Sequence, residues 1–138
     1  VTSPEGLRVR LSAAAPEADL EAVVQPGLSA VYLPCCESPE DVRRVDEIVT
    51  RLERLRGIRP GTVAVQPLVE TPEGVANARA LASASGRVRA FGAGPKLYLR
   101  LGAESPAEEG ALAYARAECE LAARALDLEP IDLEYVGD

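Results

Sequence analysis

Apolar positions along the chain recur in two rhythms. Leu7-Arg8-Val9-Arg10-Leu11 alternates apolar and basic residues, the period-two pattern of a strand with one buried face. Ala18 to Val24 has helical spacing and stops at Pro26-Gly27. Ser29 to Pro34 reads as the next strand. A longer helix follows, with Ser38 placed to cap it, Pro39 in its first turn, and Glu40 and Asp41 at its positive end. Val42, Val45, Ile48, Val49, Leu52 and Leu55 fall on one face of that helix. Arg43, Arg44, Glu47, Arg51 and Arg54 line the other, where Glu47 and Arg51 sit four apart as a helix-supporting pair. That charged run is a solvated face.

Gly57, Pro60 and Gly61 make a return loop. Val63 to Val69 is then nearly continuous in apolar residues, as a strand buried on both faces requires. Pro67 inside it cannot donate to a ladder, so a bulge or the strand's end is expected there. Thr71-Pro72-Glu73 repeats the cap, proline, acid pattern, and Val75, Ala78, Leu81 and Ala82 form the buried stripe of one helix. Val88 to Phe91 is the fourth strand and runs into Gly92-Ala93-Gly94-Pro95. Ser105-Pro106-Ala107-Glu108 has capping-box spacing. It opens a long helix with Leu112, Ala115, Cys119, Ala122 and Leu126 on one side. Pro130 ends that helix, and Ile131 to Val136 is the fifth strand.

Strands alternating with amphipathic helices imply a parallel α/β architecture. Periodicity alone fits an open doubly wound sheet as well as part of a closed barrel. No glycine-rich phosphate fingerprint follows the first strand, which leaves a dinucleotide-binding reading without support. The 138 residues favour one domain, spanning 1–138, and a closed eight-stranded barrel takes about 250.

Composition narrows the chemistry. With 47% hydrophobic and only 4% aromatic residues and no Trp, Ala, Val and Leu must supply the core. A net charge of −7 argues against a nucleic-acid surface, which needs clustered cations. No run reaches the roughly 18 apolar residues of a membrane span. Cys35, Cys36 and Cys119 make an odd count without repeated spacing, so a disulfide framework is not expected, and buried apolar roles are. With His 0, routes through a histidine base or ligand are closed.

Three segments resemble one known family. Leu33-Pro34-Cys35-Cys36-Glu37-Ser38-Pro39-Glu40-Asp41 resembles the "LPKVES-x-E-D" strand end of citrate lyase β-like proteins, of the HpcH/HpaI aldolase superfamily. Val69-Glu70-Thr71-Pro72-Glu73-Gly74-Val75-Ala76-Asn77-Ala78 is similar to their "ETPxGVxNA". Ala113-Tyr114-Ala115-Arg116, Ala122-Ala123-Arg124-Ala125 and Ile131-Asp132-Leu133-Glu134-Tyr135 resemble "YAR…AARA…IDxVY". The order and spacing agree across almost the whole chain.

The resemblance implies a partial (β/α)8 TIM barrel of parallel strands and outer helices, with N-terminal strands and the last strand outside this chain. It implies carbon–carbon cleavage or formation in citramalyl-, malyl- or citryl-type hydroxyacyl-CoA thioesters, a divalent metal, usually Mg2+, and a cytoplasmic homo-oligomer. Glu70, at a strand's carboxyl end, takes the position of a metal ligand. Arg8 takes that of the arginine that binds the substrate's carboxylate, with Arg10 in its place if the register slips by two. Glu37 matches the "ES" acid, as a further substrate-binding or orienting group.

The pattern breaks at one place. The family's second metal carboxylate comes from "FGxED", and here the stretch reads Phe91-Gly92-Ala93-Gly94-Pro95-Lys96. Gly94 and Pro95 replace the acids. Cys35 replaces the lysine of "LPK", and Ser12 to Pro16 lacks the family's Gly-Thr turn. A paralogue that keeps the barrel for thioester binding, assembly or regulation, without catalysis, is therefore the alternative expectation.

Overall fold

The computed structural model describes residues 6–101 and 105–133. Among the described residues five strands, β1 (Leu7–Arg10), β2 (Leu28–Leu33), β3 (Ala64–Val69), β4 (Ala90–Ala93) and β5 (Glu129–Asp132), form one sheet. They run in the order β1-β2-β3-β4-β5, every pair parallel. Helices α1 (Pro16–Val23), α2 (Pro39–Leu55), α3 (Pro72–Ala76), α4 (Ala78–Ala82), α5 (Pro95–Leu101) and α6 (Pro106–Ala125) fill the crossovers. A doubly wound sheet reverses its strand order at a switch point. This sheet does not reverse, so it is five consecutive units of a barrel.

One side of the sheet carries the core. Leu11, Val31, Leu33, Val63, Val65, Val69, Phe91 and Ala93 join Val42, Val45, Val49 and Leu52 of α2 and Ala115, Cys119, Ala122 and Ala123 of α6 in one buried cluster. By strand alternation the other side, the barrel's interior, receives Arg8 and Arg10, Ala30 and Tyr32, Ala64, Gln66, Leu68 and Glu70, then Ala90, Gly92 and Gly94.

Pro67 needs no bulge. It is the last residue of β3 to pair with β2, opposite Leu33, and from Leu68 onward the ladder runs to β4. The missing donor falls at the handover. Pro130 lies inside β5 and does not stop α6, which ends at Ala125. Glu129 and Leu133 donate to the carbonyls of Arg89 and Ala93, so the N–H that Pro130 lacks belongs to the open edge. The fourth strand starts two residues later than the expected Val88. The expected fifth strand is displaced toward its start, and residues 134–136 lie outside the described residues.

The helix expected after Thr71 is two short ones meeting at Asn77, whose side chain donates to the Glu37 carbonyl at 2.8 Å. Thr71 and Ser105 cap α3 and α6 through bonds from Gly74 and Glu108, at 3.1 and 3.2 Å. Asp41 caps α2 by accepting from the N–H groups of Glu37 and Ser38, at 2.9 and 3.1 Å. Leu55 is 70% exposed and not part of the buried stripe of α2, while Glu53 is buried there instead. The charged face of α2 reaches across to α1, where Arg44 meets Glu17 and Arg51 meets Glu21.

Glu53 explains its own burial. At the amino-terminal end of the sheet, Arg87 forks onto both of its oxygens at 2.8 and 2.9 Å. The N–H groups of Gly61 and Val63 donate to it as well, each at 3.0 Å. Arg87 also meets Asp46 at 2.7 Å, which in turn accepts from the Ser85 hydroxyl at 2.6 Å. Burial alone would raise both carboxyls. The bonds from Arg87 and the neighbouring donors reverse this and hold Glu53 and Asp46 below the usual carboxylate range. Burial by itself would lower Arg87, and the two carboxylates hold it above its ordinary value.

Replacing Arg87 by Leu strands a buried carboxylate and is expected to cost about 3–5 kcal/mol, read from urea denaturation. The acid side follows from the direction of the shifts. A carboxyl with a depressed folded-state pKa stabilises the fold above its unfolded-state pKa, and loses that contribution as pH falls through the folded value. The wild-type chain should therefore lose stability on acidification more steeply than Arg87→Leu, measured as urea midpoint against pH.

Candidate functional site

The carboxyl ends of the strands converge on Glu70. It is the first residue after β3 and is 0% exposed, although it carries a carboxylate. Arg10, the last residue of β1, brings its Nη2 to 3.3 Å from each carboxylate oxygen. The Cys35 N–H donates to Oε1 at 3.0 Å, and the Cys35 thiol lies 3.6 Å from the same oxygen. The Lys96 N–H donates to Oε2 at 2.9 Å. Arg100 of α5 donates to the Glu70 backbone carbonyl at 2.7 Å and lies 3.7 Å from the Cys35 sulfur.

Local backbone geometry makes these contacts possible. Cys35 has φ 56, a left-handed conformation unusual for a residue with a side chain. Such strain concentrates at functional sites, and here it accompanies the N–H that Cys35 directs at Glu70. Gly94 faces Glu70 from β4's end. A Cβ there would fall 2.7 Å from Cγ and Cδ and 2.8 Å from Oε2 of the glutamate, closer than real contacts allow. The in-turned Glu70 and a side chain at position 94 therefore exclude each other.

The residues singled out from sequence separate. Glu70 points inward, toward the barrel side. Arg10, not Arg8, is its partner; Arg8 lies one strand period earlier and donates to the Tyr32 hydroxyl at 3.4 Å. Glu37 is exposed and contributes through its backbone, whose N–H meets Asp41 and whose carbonyl meets Asn77. Gly94 and Pro95 stand beside Glu70 where the resemblance expects acids. Cys36 and Cys119 are buried as expected, burial pushing the Cys119 thiol up to about 12 and the Cys36 thiol higher still. Cys35 is half-buried and belongs to the cluster.

Sequence reasoning did not single out Gln66. It is 6% exposed, and its Oε1 has no hydrogen-bond partner. Arg10, Tyr32 and Gln66 are register partners across β1, β2 and β3, so the three form one row on the interior side. The polar residue within the apolar run Val63 to Val69 was the available signal. Arg100 was not singled out either, because α5 was not expected.

A divalent ion of the magnesium type takes hard oxygen ligands in octahedral array and keeps several waters. The donor set around Glu70 does not fit that requirement. A carboxylate has about four acceptor positions, and here N–H groups and a thiol occupy both oxygens. Two guanidinium groups against one carboxylate leave the cluster positive. Among the described residues no group of three or more His, Cys, Asp or Glu could hold a metal ion.

Parallel βα units wound in one direction, with charged groups gathered at the strands' carboxyl ends, define part of a (β/α)8 barrel. The chain belongs to the HpcH/HpaI aldolase/citrate lyase family, whose model matches residues 4–137. It is 33% identical over 118 residues to the citrate lyase subunit beta of Escherichia coli K12, covering 85% of this chain and 39% of that protein. The Haemophilus influenzae citrate lyase subunit beta is also 33% identical, with 85% and 40% covered. The chain thus spans about two-fifths of the length of these relatives.

Among solved structures it resembles the citrate lyase beta subunit of M. tuberculosis complexed with oxaloacetate and magnesium. The TM-score is 0.67 and the identity 24%, over 94% of this chain and 54% of that one. It also resembles the Haloferax volcanii malate synthase pyruvate/acetyl-CoA ternary complex, with TM-score 0.70 and 17% identity over 93% and 40% of the two chains. Both likenesses concern the fold. Among the described residues no helix is long and apolar enough to cross a membrane.

Gly94→Ala forces a methyl group against the Glu70 carboxyl. It is expected to cost about 1–3 kcal/mol, the range for overpacking a filled site, measured by urea denaturation.

Proposed function

We propose that this chain binds a small hydroxy or keto acid, free or as the acyl part of a thioester, at the carboxyl-end mouth of its strands. In the wider barrel that pocket serves carbon–carbon cleavage or formation in a hydroxyacyl thioester of the citramalyl, malyl or citryl type. The observation that carries the binding half is the pose of Arg10. Only its Nη2 is spent on Glu70; Nε and Nη1 bond no described residue, and the side chain is 38% exposed. A planar guanidinium with a free edge suits two-point contact with a carboxylate. Arg100 adds positive charge on the same side.

Gln66 supplies the other polarity. Its orphaned Oε1 is an acceptor two strand spacings from Arg10, roughly 10 Å across the sheet. A ligand bearing a carboxylate and a hydroxyl or N–H donor would satisfy both. The citrate lyase subunit beta relatives support the reaction class. In such a cleavage the hydroxyl loses its proton, its oxygen becomes a carbonyl, and the carbon–carbon bond's electron pair passes to the thioester's α-carbon, which is then protonated. The resident Arg10 would hold the acid fragment while that charge moves.

A specific observation favours a second reading, a paralogue that binds without cleaving. Gly94 and Pro95 stand where a second carboxylate is expected, and the remaining one, Glu70, is fully engaged by donors.

Thermal denaturation with pyruvate, oxaloacetate, malate or citramalyl-CoA tests binding. At 100 times Kd a ligand stabilises by about 2.7 kcal/mol, and Arg10→Gln is expected to abolish the shift. Incubation with malyl- or citramalyl-CoA separates the readings, since keto-acid release supports the lyase and binding without turnover supports the paralogue. No stabilisation by any of these acids would remove both.

A further inference from the structure

We infer that the Arg10 guanidinium, oriented by Glu70, stands in for a divalent cation at this mouth, so that the acid ligand binds without metal. The inference rests on the proposal that the mouth is a ligand site, and it concerns what supplies the positive charge there. Glu70 is then a positioning residue. It touches no ligand, and it fixes the direction in which Arg10's unbonded edge points.

Three observations carry it. First, donors crowd both oxygens of Glu70: Arg10 Nη2 is shared between them at 3.3 Å, the Cys35 N–H and thiol lie 3.0 and 3.6 Å from Oε1, and the Lys96 N–H lies 2.9 Å from Oε2. Second, Gly94 is required by this pose: its missing Cβ is the space into which the Glu70 carboxyl turns. The acid that the family resemblance implies at position 94 and the inward turn of Glu70 exclude each other. Restoring a side chain there displaces the glutamate from Arg10. Third, Arg10 contacts the carboxylate end-on through a single nitrogen, not through the two-point fork, which leaves Nε and Nη1 directed elsewhere. A fixed cation is thereby held at the sheet's mouth by a fully buried carboxylate.

Calorimetric titration with oxaloacetate, in EDTA and in excess Mg2+, reads the metal requirement. The same affinity in both is expected. Titration with Mn2+ alone, followed by electron paramagnetic resonance, should show no saturable site. Glu70→Gln keeps the side chain's size and should weaken oxaloacetate binding roughly ten- to hundredfold, the loss typical of a hydrogen bond to a charged group. Arg10→Lys keeps the charge without the planar fork and should bind as poorly. These affinities are measured on protein shown to be folded by circular dichroism, so a purely structural role for Glu70 predicts unchanged affinity and would count against the inference. If Glu70→Gln does not fold, Gly94→Ala, whose added methyl meets the Glu70 side chain first, must show the same weakening. Oxaloacetate binding that needs Mg2+, or a Mn2+ site lost in Glu70→Gln, overturns the inference alone. No oxaloacetate binding under either condition overturns it together with the mouth as a ligand site.

Discussion

One buried carboxylate organises the carboxyl end of this sheet. Glu70 directly follows β3, yet its oxygens are held by β1 through Arg10, by the β2–α2 turn through Cys35, and by the start of α5 through Lys96. Its carbonyl is held by Arg100 from further along α5. An unpaired buried charge costs several kcal/mol, so a fully buried glutamate persists only when donors converge on it. The convergence constrains everything around it. Cys35 adopts a left-handed backbone, position 94 has no room for a side chain, and Arg10 must end its strand pointing inward.

The opposite end of the sheet solves the same problem differently. There Glu53 is buried against a two-pronged Arg87, with backbone N–H groups completing the shell. That arrangement spends the guanidinium's donors on the protein: Asp46, the Val63 carbonyl and the Thr50 hydroxyl take the rest. Arg10 differs in leaving most of its donors unspent. In barrels the amino-terminal face concerns stability and the carboxyl-terminal face concerns ligands. The two ion pairs divide along that line, one closed and one open.

The alternating pattern of apolar strands and amphipathic helices made the architecture legible, because burying one face of each element leaves few arrangements. Boundaries were less so. The strand after Ala84 is shifted because Val88 is buried before the ladder with β5 begins at Ala90. α5 was hidden by Gly92-Ala93-Gly94-Pro95, which reads as a loop, although proline also suits a helix's first turn. In the site, Glu70 was legible from the motif around it. The choice between Arg8 and Arg10 was not, since both lie on the same face of β1 and only the strand's stagger decides which reaches β3's end. Arg100 and Gln66 carried no local signal beyond polarity.

A replaced acid usually suggests a site decaying at random, each loss independent of the next. The geometry here argues otherwise. An acid at position 94 and Glu70 in its present pose cannot coexist, because the glutamate's carboxyl fills the space of the missing side chain. Once position 94 is glycine, Glu70 can turn onto Arg10 and the two N–H groups. A carboxylate turned in this way has donors crowding both oxygens, while the arginine it orients keeps a donor edge exposed. The net charge offered to a ligand at the mouth remains positive. On the inference drawn above, the positive charge at the mouth is carried by a covalently fixed guanidinium. Glu70 stays buried because these donors offset its desolvation, and Cys35, in a left-handed turn, supplies both an N–H and a thiol to it.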